Sequence, residues 1–258
     1  SLNANKGAVL NCGNSGTTAR LLIGLLCTNP GTQIKITGDH SLNKRDMSKL
    51  IKLMVRFGAT FYPKNKINFP LKLVSSEMPI GIDYKAGSSA QLKSAVILAG
   101  LNAFGVTNIT EEEESRDHTE NMLLKNSKVL KIKKNRRKQN YIKVFGKKYL
   151  EPLKINVGGD PSSAAFFVAL TLLVPNSRLK IKNVGLNPKR IGFYNILKKH
   201  GAKIKFKNII KINHERIGDI FIESSKLKAL KVGSEYYGSA TDEYPILFVI
   251  AALIKGTS

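Results

Sequence analysis

Four stretches of the chain share one hydrophobic pattern: a short polar start, then a run of almost wholly apolar residues. They begin at Gly13, Gly87, Gly159 and Gly238. Apolar runs without a polar face predict helices that are buried between layers. A turn and a short alternating segment follow the first three runs, and that alternation predicts a β-strand.

A small polar residue precedes each apolar run and is expected to cap its helix. Asn14, Ser88, Asp160 and Thr241 have side chains that accept hydrogen bonds from the free N–H groups of a first helical turn. Pro161 follows Asp160, where a missing N–H costs nothing. The four positions recur at intervals of about 75 residues, which indicates one supersecondary unit used several times.

An amphipathic segment follows each of the first three predicted strands. In the first of these, one stripe carries Met47, Leu50, Ile51, Met54 and Phe57. Gly58 and Gly201 stand where helix C-caps in the left-handed conformation are expected. The pattern predicts an α/β fold of repeated strand–helix–strand–helix–strand units, with a domain junction near Asn156–Gly159 and domains at residues 1–157 and 158–258.

Charge is the unusual feature of the composition. The chain has 42 Lys and Arg residues against 18 Asp and Glu residues, a net charge of +24 that favours anionic partners. Most of the excess is scattered lysine, and only Lys125–Lys148 is dense. That segment alternates and predicts a solvated hairpin, although a nucleic-acid patch is the alternative.

Several classes of protein lack support. No apolar run is long enough to span a membrane. Ser1–Gly7 shows no secretion leader, so a cytoplasmic location is expected. Two cysteines and four scattered histidines give neither a disulfide framework nor metal-ligand spacing. Phosphate-loop, dinucleotide and nucleophile-elbow motifs are missing from the sequence.

The predicted helix starts suit anions, because each start offers free N–H groups and the positive end of a dipole. Arg20 and Arg45 could each hold a carboxylate or phosphate with a bidentate fork, and the alternative for Arg20 is a buried ion pair. For Ser162 and Ser163, simple capping and helix packing are the favoured interpretation. The candidate residues at the helix starts are Asn14, Ser15, Gly16, Thr17, Arg20, Ser88, Ser89, Gln91, Lys93, Asp160, Ser162, Ser163 and Asp242.

Asp242 is the candidate general base. It lies at the start of the fourth apolar run, where a carboxylate could take a proton from a substrate hydroxyl. A helix cap without chemistry is the alternative for Asp242, and Glu243 is the alternative base. His118 is expected to have a structural role.

Six ordered motifs resemble those of the 5-enolpyruvylshikimate-3-phosphate synthase family, and together they span nearly the whole chain. The motifs are GNSGTTARLL (Gly13–Leu22), GDHSLNKRDM (Gly38–Met47), SAQLKSA (Ser89–Ala95), SRDHTENML (Ser115–Leu123), GDPSSAAFF (Gly159–Phe167) and DEYP (Asp242–Pro245). The SAQ and SRDHTE segments resemble a bacterial class that differs from the commonest enterobacterial type.

The resemblance implies an α/β fold of βαβαββ units arranged in two inside-out α/β barrel domains, with the active site in the cleft between them. It implies transfer of the enolpyruvyl group of phosphoenolpyruvate to the 5-hydroxyl of shikimate 3-phosphate, with release of phosphate, through addition and then elimination. It also implies small-molecule substrates only, no metal or organic cofactor, no nucleic-acid or membrane partner, and a monomer at full length.

By motif position, the resemblance implies a role for each site residue. Gly16, Arg45 and Gln91 would contact phosphoenolpyruvate. Asp242 would be the base at the 5-hydroxyl and would also contact shikimate 3-phosphate. The other shikimate 3-phosphate contacts would be Ser89, Ala90, Gln91, Ser115 and Arg116. Asn14, Thr17 and Arg20 would shape the pocket.

The chain departs from the family pattern in two respects. Asp46 follows Arg45 where members usually have proline, and this acid either weakens the grip of Arg45 on an anion or caps the next helix. The family's N-terminal Lys-Ser…Arg motif and its C-terminal Glu, Lys and Arg segment have no counterpart here. The second domain is therefore expected to be truncated, and the chain to be an internal part of the enzyme.

Two rival functions make different predictions. The sister enzyme that transfers enolpyruvyl to UDP-N-acetylglucosamine usually carries a cysteine in the loop matching Gly38–Arg45, and this loop has none. A basic nucleic-acid-binding module would bind with a steep salt dependence. That rival leaves the six motifs unexplained.

We predict that the purified 258-residue chain has no turnover, because the missing motifs carry part of the family's catalytic machinery. The measurement is phosphate release from phosphoenolpyruvate plus shikimate 3-phosphate. Release above the level without protein would contradict the prediction.

Overall fold

The repeated unit of the sequence is visible as two four-stranded sheets of identical topology in the computed structural model, which describes residues 7–126, 128–135 and 139–258. In each sheet the first two strands are parallel, and the fourth strand pairs antiparallel between the second and the third. The second sheet repeats this order. The predicted repeat and the α/β class are confirmed.

The chain divides into two compact units. Unit 1 comprises the described residues of Ser1–Ser115 and Leu123–Glu151, and unit 2 those of Arg116–Met122 and Pro152–Ser258. The domain limits expected at residues 157 and 158 stay a prediction.

Unit 1 holds both four-stranded sheets and the helices between their strands. Its strands are β1 (Ala8–Asn11), β2 (Gln33–Thr37), β3 (Thr60–Tyr62), β4 (Leu71–Val74), β5 (Asp83–Ala86), β6 (Val106–Glu111), β7 (Leu130–Lys134) and β8 (Asn140–Phe145). Its helices are α1 (Gly16–Leu26), α2 (His40–Lys44), α3 (Ser48–Arg56) and α4 (Ala90–Asn102). The next helix, α5 (His118–Leu123), has all but its last residue in unit 2.

Unit 2 contains a third copy of the unit with a reduced first strand. An isolated parallel bridge between Gly159 and Val184 takes the place of β1 or β5, and the remaining strands pair in the expected antiparallel order. The strands are β9 (Arg178–Gly185), β10 (Lys203–Ile212) and β11 (Glu215–Glu223), and the helices are α6 (Pro161–Leu173), α7 (Gly192–Lys199), α8 (Tyr237–Ala240) and α9 (Tyr244–Leu253).

The helix starts differ from the predicted caps by one residue in unit 1. Ser15 caps α1 by accepting from Thr18 N at 3.1 Å, and Ser89 caps α4, so the predictions of Asn14 and Ser88 are wrong. Asp160 caps α6 as predicted, with Pro161 in the first turn. The fourth prediction is also wrong, because Thr241 begins a 3₁₀ turn and α9 starts at Tyr244 without a side-chain cap.

The amphipathic helices follow the prediction. Four residues of the α3 stripe, Met47, Leu50, Met54 and Phe57, are almost fully buried. Gly58 and Gly201 have φ angles of +92° and +98° and end α3 and α7, as expected for left-handed C-caps.

The apolar helices are buried to different degrees. α4 is buried on nearly every side, as predicted. α6 and α9 pack on each other, but they keep one apolar face exposed, which contradicts the expectation of full burial. Phe166, Phe167 and Phe248 are each 60% or more exposed, since no described element of the chain covers that side of the two helices.

The predicted basic hairpin is present. β7 pairs antiparallel with β8, and their outward lysines Lys131 and Lys143 stand opposite each other and are exposed. Its most basic residues, Arg136, Arg137 and Lys138, lie outside the described residues.

The core of unit 1 depends on a close crossing of the two buried helices α1 and α4. A Cβ added at Gly24 would lie 2.4 Å from the carbonyl oxygen of Ala95 and 2.7 Å from its Cα. The two backbones therefore touch at this point, and the glycine is required by space alone, since its φ is not positive.

We predict that Gly24→Ala lowers the urea midpoint of unfolding, because the added methyl forces the two helices apart at a cost of roughly 1–3 kcal/mol. Gly87→Ala is the matched control, because a Cβ at Gly87 meets nothing within 4 Å. Equal midpoints for the two variants would show that the crossing is not close.

Candidate active site

The loop between β1 and α1 places Asn14 between an acid and an arginine. Its amide nitrogen donates to Asp39 Oδ2 at 2.6 Å, and its amide oxygen accepts from Arg45 Nη2 at 3.1 Å. Asp39 caps the short helix α2, and Arg45 ends it. Asn14 thus fixes the Arg45 side chain relative to the start of α1.

Two guanidinium groups meet above Gly16, the first residue of α1. A Cβ at this position would lie 2.6 Å from Arg20 Nη1 and 2.9 Å from Arg45 Nη1. Within the described residues Arg20 forms no ion pair, so the alternative of a buried pair is wrong. Burial and then the positive charge of Arg45 lower the pKa of Arg20. The arrangement therefore concentrates positive charge where the backbone of Gly16 leaves space.

The start of α4 adjoins this cluster. Gln91 donates from Nε2 to Thr17 Oγ1 at 2.7 Å, which joins the first turn of α4 to the first turn of α1. Ser89 is the cap of α4, and Ala90 is its first residue. The structure thus brings Asn14, Gly16, Thr17, Arg20, Arg45, Ser89, Ala90 and Gln91 to two adjoining helix starts.

Lys93 does not belong to the anion-binding group, contrary to the sequence prediction. Its ammonium lies 2.7 Å from Glu111 Oε1, and both side chains are buried, with 0 and 1% exposed. The same oxygen accepts from Ser115 N at 2.9 Å and Ser115 Oγ at 2.7 Å. Asn140 donates to the other oxygen at 2.8 Å. The buried Lys93–Glu111 pair therefore fixes the backbone and the hydroxyl of Ser115, a predicted ligand contact.

The chemistry of Glu111 follows from these contacts. Burial alone raises the pKa of the carboxyl, but the hydrogen bonds from Lys93, Asn140 and Ser115 and the charge of Lys93 outweigh it, so the pKa lies below its usual value. Glu111 thus remains ionised at neutral pH.

Asp46 holds the start of the following helix. Its Oδ1 accepts from Ser48 N, the first residue of α3, at 2.6 Å, while Met47 occupies the N-cap position. Hydrogen bonds from the Ser48 side chain and then from its backbone lower the pKa of Asp46. Of the two sequence-based alternatives for this departure from the family pattern, the structure therefore favours the cap.

Unit 2 holds a second cluster around Asp242. Arg116 Nη2 lies 2.7 Å from Asp242 Oδ2, so the structure brings these two predicted site residues together. Arg190 Nη1 lies 3.7 Å from the same oxygen. Arg190 Nη2 also donates to Asp160 Oδ1 at 3.0 Å and to Ser162 Oγ at 2.7 Å.

Ser162 and Ser163 divide the roles predicted for them. Ser163 donates from N and Oγ to Asp160 Oδ2 at 3.0 and 2.9 Å, which is simple capping. Ser162 also donates from N to Asp160 Oδ1 at 3.2 Å in this cap, and its hydroxyl in addition accepts from Arg190 and donates to Glu243 Oε1. Burial raises the pKa of Glu243, which is only 1% exposed.

The segment that follows Ser115 is tied down within unit 2. His118 Nδ1 lies 2.8 Å from Glu215 Oε1, and Asn187 donates to Asp117 Oδ1 at 2.8 Å. His118 thus has the structural contact expected of it. These contacts position Arg116 beside Asp242.

Sequence reasoning missed Arg190, Glu111 and Asp39. A signal for Arg190 existed, because only nine of the 42 basic residues are arginine, and four of the nine belong to the two clusters. An arginine kept among so many lysines indicates a need for the planar fork. Glu111 and Asp39 carried no such signal. It stays a prediction that the residues around Gly16 and those around Asp242 line one pocket.

Within the described residues, no group of three or more His, Cys, Asp or Glu residues could hold a metal ion. Among the same residues, no helix is both long and apolar enough to cross a membrane.

The sequence pattern of one family, EPSP synthase (3-phosphoshikimate 1-carboxyvinyltransferase), matches residues 1–258. The chain belongs to the EPSP synthase family. The family assignment accounts for the order of the six motifs.

Relatives agree with this assignment. The 3-phosphoshikimate 1-carboxyvinyltransferase of Bacillus subtilis is 40% identical over 252 residues, covering 97% of this chain and 58% of that protein. The protein of the same name from Paramagnetospirillum magneticum is 42% identical over 251 residues, covering 97% and 56%. The chain thus spans a little over half the length of these relatives.

Solved structures confirm the enolpyruvyl transferase fold. The EPSP synthase from Acinetobacter baumannii has a TM-score of 0.80 and 36% identity, covering 96% of this chain and 55% of that one. The enolpyruvyl transferase NikO from Streptomyces tendae has a TM-score of 0.66 at 15% identity, covering 91% and 54%. The second likeness shows the fold alone.

We predict that Glu111→Gln destabilises the protein by roughly 3–5 kcal/mol at neutral pH, because it leaves the Lys93 charge buried without a counter-charge. Glu112→Gln is the control, since the Glu112–Lys85 pair is largely exposed and such pairs contribute about 1 kcal/mol or less. Urea unfolding measures both effects.

The pH dependence of this destabilisation tests whether the Lys93–Glu111 ion pair causes it. The folded-state pKa of Glu111 is lowered, so its stabilisation is present above the ordinary Glu pKa and is lost as pH falls through the folded value. The stability gap between the parent protein and Glu111→Gln should shrink on acidification. A gap that grew would refute the ion pair as its source.

Proposed function

We propose that the protein containing this chain transfers the enolpyruvyl group of phosphoenolpyruvate to the 5-hydroxyl of shikimate 3-phosphate. The 5-oxygen bonds to C2 of phosphoenolpyruvate while C3 gains a proton, which gives a tetrahedral intermediate. Loss of a proton from C3 then breaks the bond between C2 and the phosphate oxygen. The products are the enolpyruvyl ether and inorganic phosphate, so the atoms balance without an oxidant or reductant.

The observation that carries this proposal is the pair of guanidiniums over Gly16. Arg20 and Arg45 meet there, beside the first N–H groups of α1, and within the described residues neither forms an ion pair. Phosphoenolpyruvate carries a phosphate and a carboxylate close together, and such an anion would offset the repulsion between the two arginines. Gly16, Arg45 and Gln91 would contact it, and Asn14, Thr17 and Arg20 would shape its pocket.

Shikimate 3-phosphate would be held by Ser89, Ala90, Gln91, Ser115 and Arg116, with Asp242 at its 5-hydroxyl. Ser115 donates its hydroxyl proton to Glu111 in the present structure, and phosphate oxygens can only accept. Binding would therefore turn this hydroxyl toward the phosphate, while Ser115 N keeps the segment on Glu111.

Asp242 would be the general base. Its side chain is 47% exposed, so a substrate hydroxyl can reach the carboxylate and give up its proton there. We further propose a cytoplasmic monomer that uses no cofactor or metal and binds no nucleic acid. The match to the EPSP synthase family supports these assignments.

The test is phosphate release by the intact protein, with the enolpyruvyl ether identified by mass spectrometry. One phosphate per ether is expected with shikimate 3-phosphate, and no product with UDP-N-acetylglucosamine. Product from the sugar nucleotide alone would reverse the assignment.

We expect Arg45→Gln to raise KM for phosphoenolpyruvate about 10–100-fold, since charged hydrogen bonds are worth roughly 1.5–3 kcal/mol. Gly16→Ala should raise the same KM, because its methyl would displace both guanidiniums. Steady-state kinetics with each substrate varied in turn measures these effects.

The control is Arg56→Lys, which changes an arginine of unit 1 that donates to the carbonyl of Asp83, away from this cluster. Its KM values should equal those of the parent protein. A KM for phosphoenolpyruvate that Arg45→Gln left unchanged would remove this arginine from the site.

A further inference from the structure

Both arginines that contact Asp242 in the described residues do so at the same carboxylate oxygen, Oδ2. Arg116 Nη2 and Arg190 Nη1 both lie against Oδ2, at 2.7 and 3.7 Å. Within the described residues, Oδ1 accepts no hydrogen bond. A carboxylate held in this way has one oxygen that fixes its direction and one that is free to take a proton.

The position of Arg190 is itself fixed by the fold. Arg190 N donates to Asn187 O at 2.8 Å in a tight turn just before α7. A Cβ at Gly192, the first residue of α7, would overlap Ser239 of α8, so α7 lies directly against the element that leads to Asp242. The Arg190 side chain is only 16% exposed.

A buried serine and glutamate support the other end of the guanidinium. Ser162 Oγ accepts from Arg190 and donates its own proton to Glu243 Oε1. Glu243 Oε2 has no hydrogen-bond partner in the described part of the chain, although the residue is 1% exposed. An ionised carboxylate with one bare, buried oxygen would be costly, and a protonated one costs less.

The charges around Glu243 also favour its protonated form. Asp242, in the same 3₁₀ turn, and the guanidiniums of Arg190 and Arg116 interact with it. Asp160 at the α6 cap pairs with Arg190, and the Tyr194 hydroxyl of α7 interacts with Glu243, Asp160 and Arg190. Three carboxyls thus face two guanidiniums. The cluster is neutral when one carboxyl is protonated, and Glu243 is the most buried of the three.

We propose that Arg190 is a positioning residue that directs Asp242 by its Oδ2, and that Ser162 and a protonated Glu243 form the buried support that holds Arg190. Asp242 Oδ1 is then the oxygen that takes the proton from the 5-hydroxyl. This inference rests on the proposed function of Asp242 as the base. It assigns Glu243 a supporting role, not the role of an alternative base.

The first test replaces Arg190 in the intact protein. Arg190→Gln should lower kcat about 10–100-fold while both KM values stay within about threefold. Arg190→Lys keeps the charge but cannot contact Ser162 and Asp242 with a planar fork, so it should restore only part of kcat, with both KM values again unchanged.

The second test replaces Glu243. Glu243→Ala removes the support of Ser162 and Arg190, so it should lower kcat as Arg190→Gln does, with both KM values within about threefold. Glu243→Gln mimics a protonated carboxyl and should restore most of that loss. A loss of 100-fold or more in Glu243→Gln would make Glu243 the base and overturn the proposal. Because the folded-state pKa of Glu243 is raised, its protonated form contributes stability that is lost as pH rises through that value. The stability of Glu243→Gln relative to the parent should therefore increase from acid to alkaline pH.

Controls separate the possible failures. Arg178→Gln removes an exposed arginine of unit 2 and should change neither kcat nor either KM. A folding defect would lower the folded fraction, measured by circular dichroism, in proportion to kcat, whereas loss of positioning lowers kcat at an unchanged folded fraction. If the parent protein releases no phosphate from the two substrates, the proposed function fails. If the parent turns over and Arg190→Gln matches it in kcat, only the positioning role fails.

Discussion

The need to satisfy the first N–H groups of interior helices organises both units. Ser15, Ser89 and Asp160 each accept from backbone N–H groups in the first turn of their helix. Replacing such a residue by an apolar one would remove the cap, at a cost of roughly 0.5–2 kcal/mol. Repeating the helix therefore also repeats a polar tip, and the candidate ligand contacts are the neighbours of those tips.

The two clusters use this common frame for opposite electrostatic purposes. In unit 1, Arg20 and Arg45 are brought together by Gly16 and by Asn14, and among the residues that the structure describes neither pairs with a carboxylate. In unit 2, Asp160, Asp242 and Glu243 surround Arg190 and Arg116, so positive charge is balanced and a carboxylate is kept in a defined direction. The first arrangement suits holding an anion, and the second suits moving a proton.

Much of the fold could be predicted from the sequence, because burial and capping leave local patterns. The repeat, the α3 stripe and the C-caps at Gly58 and Gly201 follow from spacing alone. The caps of α1 and α4 were misplaced by one residue, since adjacent polar residues compete for the position and only backbone geometry decides between them. The exposed face of α6 was also missed, because an apolar pattern does not state what will cover each side.

The candidate site likewise contains residues that local sequence predicts and residues that it does not. The neighbours of Gly16 could be inferred from residue types next to a predicted helix start, and the family resemblance assigned their roles. Lys93 was misjudged, because its partner Glu111 lies on another strand and the sequence does not encode that pairing locally. Arg190 was missed for the same reason, since its contacts with Asp160, Ser162 and Asp242 come from distant parts of the chain.

The contact of Gly24 with Ala95 makes the two repeats of unit 1 depend on each other. The two residues belong to successive copies, and each helix covers the other where their backbones touch. A single copy would leave that groove open to water, so neither repeat completes its core without the other.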